Sequence, residues 1–257
     1  MSQPEIITFL GKGGVGKTVL AALTGKIFME KGKRVLFVDA DPTMGLTTAL
    51  ELTGVKTMGQ AREEIIRRAW IATSFQEKAK MAEMIDYMLL EALFEGPDFS
   101  ILTMGQTDTL GCFCPVNTLL RQTIGAIASQ YEVVVIDAEA GIEQLSRQVV
   151  ESVHYPIVVA DNSVRGVKTA ITVRDTILKV PTMSPLRLGM LFNRVDQVNS
   201  SLIEMAENAC LEVYGWISHD PQIADIDADG KCLVEHVGNT GAIRQLQEVF
   251  ARLMLKD

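Results

Sequence analysis

Long apolar runs are the first thing this chain lacks. Its 257 residues contain no stretch that approaches the ~18–20 needed for a membrane-crossing helix, so no stable membrane anchor is expected. The first residues have neither the basic nor the apolar region of an export signal, and the expectation is a cytoplasmic protein. Cysteine is sparse: four residues in a chain of this size do not make a disulfide framework, and in a reducing compartment they point to metal, redox or packing roles. Aromatic residues are only 6% against 47% apolar overall, so a core must be built from Val, Ile, Leu and Ala. Positive charge is short as well. A formal net charge of −8 argues against a nucleic-acid groove. Repeats, low-complexity tracts and Pro/Gly-rich linkers are also missing, which predicts one domain over residues 1–257.

What is present begins with an apolar run, Ile6 to Leu10, that reads as a buried parallel strand. Val19-Leu20-Ala21-Ala22-Leu23 opens an amphipathic helix, and Gly11-Lys12-Gly13-Gly14-Val15-Gly16-Lys17-Thr18 lies between them. Strand, glycine-rich turn and helix are the context in which G-x-x-x-x-G-K-[ST] marks a phosphate site. Backbone N–H groups of Gly13, Gly14, Val15 and Gly16 can turn around an anion at the positive end of the helix. Lys17 would reach the β- and γ-phosphates, and the Thr18 hydroxyl would bind Mg²⁺. The same residues also fit G-x-G-x-x-G with an acid, Asp39, about 20 residues on, the pattern of a dinucleotide loop. That loop has no use for Lys-Thr at its end, whereas a triphosphate with Mg²⁺ needs the pair. Lys12 adds a second cation that would be repelled by Lys17 unless a polyanion lay between them.

Downstream, Arg34 to Asp39 reads as a second strand ending in Asp39-Ala40-Asp41-Pro42. One carboxylate can hold a Mg²⁺-bound water and the other can orient an attacking water. Residues from Thr57 to Glu95 read as a helical insertion, with Met81, Met84 and Met88 at packing intervals. Phe99 to Met104 is a strand, and a helix is expected from about Val116 to Ser129. Glu132 to Asp137 is the most strand-like run, and Asp137-Ala138-Glu139-Ala140-Gly141 after it has the form of a Walker B and switch segment, with Asp137 near Mg²⁺. Pro156 to Asp161, Leu188 to Asn193 and Val213 to Ile217 are further strands, and Thr240 to Leu255 is a terminal helix. Strands alternating with helices predict an α/β fold: a doubly wound, mostly parallel sheet with helices on both faces.

Cys112-Phe113-Cys114 stands between Gly111 and Pro115. In extended chain, positions i and i+2 face one side with Cα atoms about 6.6 Å apart. Sulfurs on a tetrahedral metal with bonds near 2.3 Å sit roughly 3.8 Å from each other, within reach of converging side chains. On a helix the two would diverge by about 200°, and the flanking glycine and proline oppose helix. A shared metal, a redox pair and two inert thiols all stay open on these residues. Cys210 reads as core on a helix, and Cys232 lies in a loop.

The loop with its extra lysine at Lys12 resembles the deviant Walker A of the MinD, ParA and nitrogenase-iron-protein ATPases. The resemblance implies ATP and Mg²⁺ as ligands, a P-loop NTPase fold and ATP hydrolysis. It also implies a homodimer in which Lys12 reaches the partner's nucleotide. Asp39 and Asp41 would form switch I, with Asp41 as the water-orienting acid. Asn193 would contact adenine, and His219-Asp220-Pro221 would border it. Cys112-Phe113-Cys114 with Ala140-Gly141-Ile142-Glu143-Gln144-Leu145 further resembles the CooC type of accessory ATPase, which matures nickel in carbon monoxide dehydrogenase. That implies Ni²⁺ or Zn²⁺ held by Cys112 and Cys114 of two subunits. It also implies a client metalloenzyme of the carbon monoxide dehydrogenase or acetyl-CoA synthase type. No histidine lies near the pair in sequence, which suits ligands from a second subunit. An iron–sulfur electron donor would need a cysteine just after Walker B, and Ala138 to Gly141 has none. A membrane-cycling switch would need a basic amphipathic tail, which Ala242 to Asp257 does not supply.

Overall fold

A computed structural model describes residues 3–71, 87–88, 90–106, 122–138, 153–179 and 185–254. The runs of Val, Ile, Leu and Phe form strands, and the central ones are buried on both faces, as parallel strands between two helical layers must be, while Leu93–Glu95 and Glu212–Ile217 at the two edges are only partly buried. They are β1 (Glu5–Gly11), β2 (Val35–Asp39), β3 (Leu93–Glu95), β4 (Ser100–Thr103), β5 (Val133–Asp137), β6 (Tyr155–Ala160), β7 (Gly189–Asn193) and β8 (Glu212–Ile217). Among the described residues they make one eight-stranded sheet in the order β3-β4-β2-β5-β1-β6-β7-β8. Every pairing is parallel except β3 with β4.

The helices that frame the site are α1 (Lys17–Glu30), α2 (Gly45–Ala49), α3 (Met58–Ile71), α4 (Val164–Leu178), α5 (Ser200–Asn208), α6 (Pro221–Ala228), α7 (Leu233–His236) and α8 (Gly241–Met254). Alternate strand residues divide between two cores. Ile6, Leu10, Leu36, Val38, Val134 and Ile136 pack against α3, α4 and α5 through Ile65, Val167 and Leu202. Ile7, Phe9, Val35, Phe37, Val133 and Val135 pack against α1 and α8 through Leu23, Ile27, Leu246 and Phe250. Each such side chain removed from water contributes about 1.5–3 kcal/mol, so the strand run of the sequence fixes the sheet's place at the centre. Helix α8 follows the same logic: Ala242, Ile243, Leu246, Val249, Phe250 and Leu253 form one buried stripe. At Gly25 of α1 a Cβ would overlap the Phe37 ring, so glycine is what lets this helix lie close on β2.

Three expectations need correction or completion. Residues 93–95, expected at the end of a helical insertion, are the antiparallel edge strand β3, pairing Leu93 with Leu102; α3 is a helix within that stretch, and Met88 is buried as expected of a packing methionine. Cys210 is exposed and not core, because it follows α5 in a left-handed conformation (φ 55°) that leaves the helical periodicity. Cys232 is buried at the N-cap of α7, its N–H donating to Glu51 Oε2 at 3.1 Å. Met81 and Met84, most of the helix expected at 116–129, Gly141, and the pair Cys112 and Cys114 lie outside the described residues.

Candidate active site

The strand order reverses at β1. From β1 the chain crosses to β2 on one side of β5, and from β5 it returns to β6 on the other side of β1. Open α/β sheets place ligands in the crevice at such a point, outside the carboxyl ends of the strands. Register brings three polar residues level there: Phe9 pairs with Asp137, Asp39 with Asp137, and Asp39 with Thr103.

The loop from Gly11 to Gly16 leaves β1 at this edge and enters α1. Gly16 occupies the N-cap with φ 89° and ψ 27°, a left-handed conformation that disfavours any side chain. A Cβ there would also overlap Asn193 Nδ2. No side chain caps α1, and its first turn carries no acid. Its leading N–H groups and positive dipole end are therefore free to take an anion. Lys17 is 7% exposed, and its ammonium donates to the Lys12 carbonyl at 3.3 Å, a long bond that phosphate oxygens can replace. Lys12 itself is exposed.

Thr18 and Asp137, both expected near Mg²⁺, lie side by side: Thr18 Oγ1 donates to Asp137 Oδ2 at 2.6 Å. The other oxygen, Oδ1, is buried and has no hydrogen-bond partner among the described residues. Burial, with the negative charges of Asp39 and Asp41 nearby, pushes the Asp137 carboxyl up to about 7, against the opposing Thr18 bond and Lys17 charge. A buried acid with one unmet oxygen beside a threonine hydroxyl fits Mg²⁺ well, since the ion prefers hard oxygen donors.

Asp39 is fully buried and differently employed. Its Oδ2 accepts from the Thr47 N–H at 2.7 Å and from Thr47 Oγ1 at 2.8 Å, and its Oδ1 accepts from the Asp41 N–H at 3.3 Å. Burial raises its carboxyl from the usual range, opposed by those bonds. Both oxygens have protein donors, so Asp39 has less capacity left for a metal-bound water than Asp137 has. Its contacts anchor α2, and Thr47 Oγ1 pairs with Thr103 Oγ1 at 2.8 Å to tie α2 to the end of β4. Asp41 accepts from the N–H and hydroxyl of Thr43 and lines the cleft.

That cleft, about 580 Å³, runs from Gly13, Lys17 and Thr18 past Asp41 to Arg194 and Lys231. A smaller pocket adjoins it and is lined by Asn193, Arg194, Ser218, His219 and Asp220. Asn193 ends β7 opposite Ile217 of β8, and its Nδ2 donates to the Val15 carbonyl at 2.8 Å. Asp220 caps α6 by accepting from the Gln222 and Ile223 N–H groups at 3.1 and 3.4 Å. Pro221 is the first residue of α6 and is not part of the pocket lining, though its neighbour Asp220 is. Arg194, Ser218 and Lys231 carry no motif in the sequence and come to the site through the fold alone; Arg194 has φ 60°, an uncommon conformation for a residue with a side chain. Among the described residues no group of three or more His, Cys, Asp or Glu is arranged to hold a metal ion. Nor is any described helix long and apolar enough to cross a membrane.

The doubly wound sheet, the glycine loop at its switch point and the Thr18–Asp137 pair define a P-loop ATPase. Residues 6–234 match the CobQ/CobB/MinD/ParA nucleotide binding domain, and the chain belongs to that family. It is 33% identical to an uncharacterised ATP-binding protein of Methanocaldococcus jannaschii, over 98% of this chain and 99% of that one. It is 27% identical to the carbon monoxide dehydrogenase accessory protein CooC of Rhodospirillum rubrum, over 81% of this chain and 89% of that one. Its fold matches that of the septum site-determining protein MinD from Pyrococcus horikoshii in complex with Mg-ADP, with a TM-score of 0.68 at 20% identity, covering 98% and 96% of the two chains.

Proposed function

We propose that this ATPase is a dimerising metallochaperone that holds nickel, or a related soft divalent ion, for delivery to a metalloenzyme of the carbon monoxide dehydrogenase or acetyl-CoA synthase type. The observation that carries the reading is the Cys112-x-Cys114 pair, placed in sequence between β4 and β5 of a chain similar to CooC along most of both lengths. Strand β4 is also bonded to the phosphate site, through Thr103, Thr47 and Asp39.

On this reading the loop from Gly13 to Thr18 wraps the phosphates, and Lys17 moves from the Lys12 carbonyl to their oxygens. Thr18 and Asp137 would hold Mg²⁺, which would supply neutralising charge to the phosphates. Asp41 orients the attacking water, and Asp39 fixes α2 so that Asp41 stays aimed. Asn193 and the 219–221 loop take the adenine. Lys12, exposed at the start of the glycine loop, crosses to the nucleotide of a second copy. Closing two copies on ATP brings four thiolates to one ion, and hydrolysis reopens them to release it.

Equilibrium dialysis of anaerobic protein against Ni²⁺ and Zn²⁺, with and without ATP, tests the proposal. Tight binding should need ATP and should vanish in both Cys112→Ser and Cys114→Ser, while ATP affinity stays unchanged. Full metal binding by both variants would sink the reading.

A further inference from the structure

The base end of the site contains a hydrogen-bond chain that the phosphate motif does not announce. Ser218 follows β8, and its backbone N–H donates to Gln245 Oε1 of α8 at 2.8 Å. Gln245 Nε2 donates in turn to Ser218 Oγ at 3.1 Å. The direction of this chain is forced by chemistry. A backbone N–H can only donate, so the carbonyl end of the Gln245 amide must face it. The NH₂ end then faces Oγ, which must accept. A serine hydroxyl has one proton, and among the described residues that proton has no acceptor in Gln245 or elsewhere. Ser218 lines the smaller pocket, into which the hydroxyl is free to donate.

Asn193 is directed in the same way from the opposite strand. Its Nδ2 is committed to the Val15 carbonyl at 2.8 Å, so Oδ1 is left as an acceptor. The pocket thus offers an acceptor from β7 and a donor from the end of β8. Adenine presents the complementary pair, an amino donor beside a ring-nitrogen acceptor, on both its Watson–Crick edge (N6, N1) and its major-groove edge (N6, N7). Guanine replaces the amino donor by the O6 acceptor and carries hydrogen on N1.

We infer that Gln245 is a positioning residue for base selectivity: by accepting from the Ser218 N–H and donating to its Oγ, it holds the hydroxyl as a donor toward an adenine ring nitrogen. The inference rests on the reading that this pocket takes the base. Gln245→Glu separates the possibilities, because it is nearly isosteric. The carboxylate still accepts the Ser218 N–H, but its second oxygen has no proton to give. The Ser218 hydroxyl then turns to donate to that oxygen and shows the pocket only a lone pair.

The experiment is calorimetric titration of the full chain and its variants with Mg-ADP, Mg-GDP and inorganic tripolyphosphate. For Gln245→Glu and Ser218→Ala the preference for ADP over GDP should fall about tenfold or more, the size of one lost hydrogen bond. Most of the fall should come from weaker ADP, and tripolyphosphate affinity should be unchanged. Equal weakening of ADP and GDP would make Gln245 a support of the loop alone and overturn the inference. Asn193→Ala serves as the control on the pocket itself. If it weakens ADP while the other two variants keep the parent ratio, the base sits here but Ser218 does not read it. If none of the three variants changes any nucleotide affinity, the base lies elsewhere and the underlying reading fails too.

Discussion

The phosphate end of the site and the end proposed to take the base are built on opposite principles. At the phosphate end polar groups are buried with their valence unmet: Asp137 Oδ1 lacks a partner among the described residues, no side chain caps α1, and Lys17 rests on a 3.3 Å bond. At the base end the side chains are tied to protein partners, Asn193 to Val15 and Gln245 to Ser218, and each pair leaves one direction open. Unmet charge stores affinity for any polyphosphate. Directed single groups store little affinity but can tell one base from another. Gly16 joins the two ends, lying under Asn193 and Arg194 while it caps α1.

If this division holds, the largest loss follows from the phosphate end. Lys17→Ala should weaken Mg-ATP by at least ~100-fold, about 2.7 kcal/mol, because a buried charge-assisted contact disappears. Calorimetry showing parent affinity would break the comparison at its stronger side. Next comes Gly16→Ala, which places a Cβ against Asn193 at φ 89°. It should cost ~1–3 kcal/mol of stability and weaken ADP and tripolyphosphate together, since both ends shift; a loss confined to one of them would show that the ends are independent.

Thr47→Val removes the hydroxyl between Asp39 and Thr103 but keeps the backbone N–H. The expected outcome is a loss of ~1–3 kcal/mol in chemical denaturation and slower hydrolysis with nucleotide affinity retained. The smallest effect is that of pH. Asp137, raised to about 7, must lose its proton to hold Mg²⁺. Mg²⁺ affinity measured with bound nucleotide should therefore rise by up to about tenfold per pH unit below 7 and level off above it. A flat profile from pH 6 to 8 would mean that Asp137 is already ionised.

The same contrast explains what could be read from the sequence. The phosphate end is a contiguous motif whose neighbours are a strand and a helix, so Lys17, Thr18 and the acids at the ends of β2 and β5 were legible before any fold was known. The base end is assembled from β7, β8 and α8, residues 193, 218 and 245, with no spacing to mark it. Asn193 is marked by family resemblance alone, and Gln245 only by its hydrogen bonds. Strand β3 escaped because three residues, Leu93-Phe94-Glu95, are too short to show a period, and their pairing with β4 is what makes them a strand. Cys210 escaped because a left-handed residue after a helix breaks the periodicity used to place it.

Native mass spectrometry of the Asp41→Ala variant, loaded with ATP and Ni²⁺ under anaerobic conditions, tests the central claim most directly. Slowed hydrolysis should trap a dimer carrying two ATP and one nickel ion, and adding Lys12→Ala should return the protein to monomers without bound metal. A dimer with two nickel ions, or a monomer that binds nickel equally well without ATP, would contradict the account.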